Sequence, residues 1–499
     1  MSFLFTRRKF LRSAASTVGT ASVWGGLLTL AGCDANPKRE KLSSRPDYHR
    51  RAAEQTGPTR NLHIRAEAAE VEIAPRYPYR TWVYNGKFPG AEIRVKEGER
   101  LHIIVENNLP EETTVHWHGV PVPNPMDGVP GLTQSPIKPG EQFIYDYVAS
   151  PAGTYLYHTH VGLQLDRSLM GPLIIEEKQP HIQYDRDYVI VLDDFLPGAP
   201  KPLVTSGSIM GNGSNGMMGG MMSGMGRGQR GMMGGGMMGV EMPHYAGLMM
   251  NAHLPEDPVV FETRKGERLR LRFLNSSGAS TYRVAIGGHR MAITHTDGRP
   301  VKPFTVDSFH IGMGERYDVL VEASNPGAWW IAGAPLQQDL PPARAILRYR
   351  DSAQGTPTRN SLPDRLESGH LLDISELESL EALPSAEPDQ KFDFVLSGGM
   401  MSSAWTMNGE AYPDAAPIEI HEGGWVRVRM TNHSMMLHPM HLHGHFFRVA
   451  NVLKDTVIVP PMMGRRSLQF LADNPGRWLF HCHNIYHMEA GMAREVRYV

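Results

Sequence analysis

A chain of 499 residues with 50 Lys and Arg against 52 Asp and Glu carries a net charge of −2, which excludes the basic field of a nucleic-acid binder. At one domain per ~150 residues the length calls for about three domains, each able to bury its own core. The 51 Gly and 38 Pro, with Asn, bound short extended runs such as Leu101 to Val105 and Tyr317 to Val321, the pattern of a mainly β chain.

Residues 1–33 read as an export signal. Thr6-Arg7-Arg8-Lys9-Phe10-Leu11 resembles a twin-arginine signal, and a weakly apolar stretch follows from Ala14 to Leu30. Leu30-Ala31-Gly32-Cys33 resembles the box at which bacterial lipoproteins are cleaved and lipidated, so Cys33 is a candidate lipid anchor. The expected location is the bacterial periplasm or cell envelope. Polar residues 34–57 then serve as a flexible tether. With Cys33 used as an anchor, Cys482 is left as a single thiol, which excludes an internal disulfide. A lone thiol in an exported protein needs protection, most simply by a metal.

Three phrases recur at domain length. The first is Asn85-Gly86-Lys87-Phe88-Pro89, then Met250-Asn251 with Pro255, then Met407-Asn408-Gly409 with Pro413. The second begins Gly98-Glu99-Arg100-Leu101, Gly266-Glu267-Arg268-Leu269 and Gly423-Gly424-Trp425-Val426, and runs to Asn107, Asn275 and Asn432. The third closes each unit from Gly153 to His158, from Gly327 to Ala332 and from Gly476 to His481. Such repeats imply three homologous β-sandwiches. They are assigned to residues 58–178, 179–352 and 389–499, with a linker at 353–388. The middle copy ends in Ala332 where the others end in His, so a metal is expected within the third domain and between the first and third. A Met- and Gly-rich insertion at about 205–247 fits no sandwich: Met210 to Met250 holds 13 of the 29 Met.

Four clusters carry chemistry: His116-Trp117-His118, His158-Thr159-His160, His438-Pro439-Met440-His441-Leu442-His443, and His481-Cys482-His483 followed by His487 and Met492. Residues two apart on a strand share a face, so each His-x-His pair aims two imidazoles one way. Cys482 faces away from its neighbours, toward His438, His487 and Met492. Two His and a Cys with a weak axial Met suit a one-electron copper site.

These motifs resemble the multicopper oxidase family over nearly the whole chain after the signal, and the pattern of the last cluster resembles its copper-resistance branch. The resemblance implies an all-β chain of three consecutive cupredoxin-like Greek-key sandwiches holding four copper ions: one type 1, one type 2 and a type 3 pair. It places His438, Cys482, His487 and Met492 on type 1, and His116 and His441 on type 2. His118, His158 and His483 would hold one type 3 copper, and His160, His443 and His481 the other.

It further implies an enzyme that oxidises its substrate one electron at a time and reduces dioxygen to water with four. Asp127, in Met126-Asp127-Gly128, matches the family's acidic residue for proton supply. The family often places Glu directly after the last type 1 His. Met488 stands there and Glu489 follows, facing away if the segment is a strand. Other histidines, among them His102, His244, His253, His289, His295, His310 and His421, read as surface or packing residues, and His445 carries no transferable role. Thioether sulfur prefers Cu(I), so the Met-rich stretch favours Cu(I) as the substrate. The alternatives are a laccase-like oxidase of small phenols and a copper-sequestering protein. A monomer is expected.

Overall fold

The computed structural model describes residues 57–203, 243–352, 355–358, 361–383, 386–399 and 404–499. The expected export signal at residues 1–33, Cys33 and most of the Met-rich insertion lie outside the described residues. Six β-sheets are formed, two in each third of the described chain. In the first third, Tyr77–Tyr84, Thr59–Ala74, Arg100–Asn108 and Gln142–Val148 make one sheet. Ile93–Lys96, Met170–Glu176, Gly153–His158 and His116–His118 make the other. Sheets of six and five strands stack in each later third, as expected for an all-β chain of three sandwiches.

Alternation builds the cores. Along Arg100–Asn108, Leu101, Ile103 and Val105 are fully buried while the residues between them are partly exposed. Arg268–Asn275 alternates in sequence in the same way, yet beyond exposed Arg268 its charged positions, Arg270 and Arg272, are buried too. Arg270 reaches Glu177 at 2.7 Å, and Arg272 reaches Thr154 Oγ1 at 2.8 Å, so the outer face of this sheet is a charged contact with the first sandwich.

The recurring phrases have one physical job each. Asn85, Asn251 and Asn408 sit at φ of 53°, 50° and 57°, a conformation that Asn tolerates. Each clasps an adjacent strand by the same two hydrogen bonds. Asn85 accepts from Arg65 N and donates to His63 O; Asn251 accepts from Val191 N and donates to Val189 O; Asn408 accepts from Val395 N and donates to Asp393 O. Asn107, Asn275 and Asn432, at or one residue before the ends of their strands, are fully buried, each accepting from a main-chain N–H two residues on and donating to two carbonyls. In the third phrase Tyr155, Trp329 and Trp478 each donate to the carbonyl four residues back, those of Pro151, Asn325 and Asn474.

The insertion joins neighbouring strands. Gly247–Met250 pairs antiparallel with Arg186–Phe195, Gly247 opposite Phe195, so the expected end of the insertion near 247 meets the start of a strand. Among the described residues one α-helix is present, Ile485–Glu489.

Candidate metal centres

Strand register assembles the histidines. His116 lies directly opposite His158 in the first sandwich, with His118 two residues along. In the third, His441 lies opposite His481, and Cys482 opposite Met440. Eight imidazoles from the two domains converge: His118 stacks on His441 with centroids 3.8 Å apart, and His116 on His443 at 4.0 Å. His160 stands 5.2 Å from His481, and His483 stands 4.8 Å from His118 and 5.3 Å from His158. Ligand atoms of His160, His443 and His481 lie within 4.8 Å of one another, as do those of His116, His118 and His158 and of His116, His441 and His443. All eight side chains are buried.

The donor atoms are oriented from behind. His116, His158, His441 and His481 each donate from Nδ1 to a main-chain carbonyl, those of Asp127, Thr159, Asp455 and Cys482, at 2.7 to 3.0 Å. That leaves Nε2 as the lone-pair nitrogen pointing inward. His443 turns its Nδ1 to the Asp127 carboxylate at 3.0 Å and brings Nε2 to 3.0 Å from Nε2 of His481. His118 uses Nε2 toward Asp455 at 3.2 Å and leaves Nδ1 free. Asp127 therefore sits at the cluster, holding two of its rings. Burial, with repulsion from neighbouring rings, keeps His158, His160, His443, His481 and His483 neutral well below their ordinary range.

Sequence reasoning missed the second brace. Asp455 accepts both ends of the Arg316 guanidinium at 2.6 and 2.7 Å while touching His118. Burial would raise its carboxyl, but Arg316 holds it well below the usual range. Arg316 belongs to the middle domain, as does Gly314, where an added Cβ would lie 2.8 Å from His118 and His483. The middle sandwich thus contributes a wall and a charge to a cluster built from its neighbours' imidazoles. The readable signal was Lys454-Asp455-Thr456 interrupting an apolar run, since buried charges come paired. Lys454 is indeed buried against Asp297 and Glu315.

A second cluster occupies the opposite face of the His481–Cys482 strand. His438 Nδ1 lies 3.1 Å from His487 Nδ1, and Cys482 Sγ lies 3.5 Å from the former and 3.6 Å from the latter. Met492 is fully buried beside them, its carbonyl accepting from Cys482 N at 3.0 Å. Ser434 Oγ fixes His438 through Nε2 at 2.8 Å. Burial pushes the thiol up and lowers His438 to about 3.

His487 is on a helix, which corrects the strand reading of this segment. The Asn484 side chain accepts from Tyr486 N and His487 N, capping Ile485–Glu489. On a helix Glu489 is not turned away from His487 by strand alternation. Glu489 and Met488 line a cavity of about 300 Å³ that reaches His160, with Glu112 also lining it. Among the remaining histidines, His295 is buried in a charged network with Arg270 and Glu177, and His445 packs on Tyr498, as packing residues do.

The residues fit metals. Nε2 of His116, His158, His160 and His441, Nδ1 of His118 and both nitrogens of His483 are buried without a hydrogen-bond partner. Each such orphan costs about 1–3 kcal/mol unless something binds it. Imidazole and thiolate together suit copper.

Comparison with known proteins agrees. Multicopper oxidase family profiles match residues 65–180, 186–352 and 385–499. The chain is 33% identical to Multicopper oxidase MmcO of Mycobacterium tuberculosis over 99% of this chain and 98% of that one. It is 29% identical to Copper resistance protein A of Escherichia coli over 83% and 88%. The solved laccase of Botrytis aclada superposes with a TM-score of 0.71 at 25% identity, covering 88% of each chain. The chain belongs to the multicopper oxidase family.

Proposed function

We propose that this multicopper oxidase takes single electrons from Cu(I) and reduces dioxygen to water, acting in copper tolerance outside the cytoplasm. The observation that carries the reading is the strand ending His481-Cys482, with His483 after it: the Cys482 side chain enters one cluster while its two neighbours enter the other. His438, Cys482, His487 and Met492 would hold the type 1 copper, and His116 and His441 type 2. His118, His158 and His483, with His160, His443 and His481, would hold the type 3 pair. Copper bound at these residues supplies one-electron redox chemistry and the strong colour of a thiolate-to-Cu(II) transition.

The protein's own part is to keep the imidazoles neutral and aimed, to exclude water by burial, and to hold a carboxylate at His443 Nδ1, where Asp127 can carry a proton for water formation. Support for Cu(I) comes from the Met-rich stretch and from the likeness to Copper resistance protein A. Residues 1–33 support export, with Cys33 as an anchor. The test is oxygen uptake by copper-loaded protein given Cu(I) and then a small phenol. Efficient uptake with Cu(I) is expected. Uptake with phenol alone would replace this reading by a laccase-like one, and none with either donor would favour sequestration.

A further inference from the structure

We propose that Trp405 is a specificity-determining residue: its indole seals His487, so donors that must touch that imidazole are shut out. This rests on the reading of His438, Cys482 and His487 as the type 1 site. Trp405 stacks on His487 with centroids 3.8 Å apart and planes 28° apart, and meets His438 edge-on at 5.2 Å. Both Trp405 and His487 are buried, at 1% and 0% exposure. With Nδ1 of His487 turned to the thiol, Nε2 is the atom left for an outside donor, and it is buried without a partner.

The indole is held as a fixed lid. Its main-chain N–H donates to Ala490 O at 2.9 Å, which ties it to the turn just after the His487 helix. On the ring, an added Cβ at Gly398 would lie 2.6 Å from Trp405 Cε3, so backbone packs directly on the indole. The buried indole N–H also lacks a partner, which leaves apolar contact as what keeps the ring in place. An organic donor that docks by hydrogen bonding to His487 therefore has no approach. A donor that gives up one electron without bonding to the ring, such as a cuprous ion, is not hindered. The donor is oxidised by one electron, dioxygen is the final acceptor, and Trp405 is itself neither oxidised nor reduced.

The experiment compares wild type with Trp405→Ala and Trp405→Phe, each copper-loaded and checked for the blue band. Because a copper-bound imidazole has no lone pair left for the reagent, copper is then removed from an aliquot of each, and diethyl pyrocarbonate modification of His487 is mapped by mass spectrometry with half-exposed His63 as the internal standard. In wild type and Trp405→Phe, His487 is expected to react at least about tenfold more slowly than His63; in Trp405→Ala it reacts at a comparable rate. The ratio of kcat/KM for a small phenol over Cu(I) rises at least about tenfold in Trp405→Ala and stays within about twofold in Trp405→Phe. Fast modification of His487 in wild type overturns the proposal. So does a blue Trp405→Ala protein with unchanged modification and substrate ratio. Should Trp405→Ala fail to load copper, Trp405→Leu replaces it, with the same outcomes deciding. A colourless copper-loaded wild type would instead overturn the type 1 reading beneath it.

Discussion

Two clusters of ligating side chains share one strand and are walled by opposite materials. The cluster of His438, Cys482 and His487 is supplied by one domain and enclosed by Trp405 and fully buried Met492. The eight-imidazole cluster is supplied by the first and third domains and braced by Asp127 and by Asp455, itself held by Arg316 of the middle domain. An apolar wall suits a centre that only gains and loses an electron, because little charge reorganises around it. Carboxylates suit a centre where protons must meet oxygen. The difference in walls matches a difference in work.

The contrast can be broken in order of expected effect. Cys482→Ser should abolish the blue band and lower steady oxygen uptake to below about a thousandth, since the type 1 reading routes every electron through this thiolate; uptake at wild-type rate would end the assignment. His441→Ala should leave the blue band and reduce uptake about a hundredfold, because the apolar-walled cluster does not use it. Visible spectra and copper content check this together. Asp455→Asn should destabilise by roughly 2–3 kcal/mol in denaturant titration, since Arg316 stays buried after losing its bidentate partner and keeps only Asp297, at 3.8 Å, to offset its charge. Asp127→Asn should slow oxygen reduction about tenfold while sparing reduction of the blue band, as seen by stopped flow. Equal slowing of both would leave Asp127 a purely structural role.

The smallest effect is expected at a buried carboxyl beside the helix that carries His487. Asp166 accepts from Tyr245 at 2.9 Å and from Tyr486, the neighbour of His487. Burial and the nearby Asp194 raise its carboxyl to about 7. A folded-state value above the unfolded one means that the folded form binds the proton more tightly. Its contribution is full below about pH 4 and is lost as pH rises through 7. Asp166→Asn should therefore raise the melting temperature at pH 8 by on the order of a few degrees and leave it unchanged at pH 4.

Much of this was legible because the carrying residues are local. A His-x-His pair on a strand declares its own geometry, and the three Asn phrases declared three sandwiches because each does the same hydrogen-bonding work in its own domain. Asp455 and Trp405 were not legible. Asp455 reaches His118 only because Thr456 pairs with His441 across the sheet, and Trp405 reaches His487 from a hairpin far back in the chain. Neither carries a ligand signature. The helix at His487 could have been read from Asn484, a strong N-cap residue, but the strand-like Trp478 to His483 run before it masked the change.

One consequence follows from where the chain completes its centres. His481, Cys482, His483, His487 and Met492 all lie in the last 19 residues, and each cluster needs at least one of them. During synthesis, four imidazoles of the first domain exist long before their partners, yet no finished centre can form until residues 481–492 are made. Metal that engages both halves then pulls the first and third domains together by mass action. Reactive chemistry with oxygen is thereby deferred until the third sandwich has been made, a timing safeguard written into chain order.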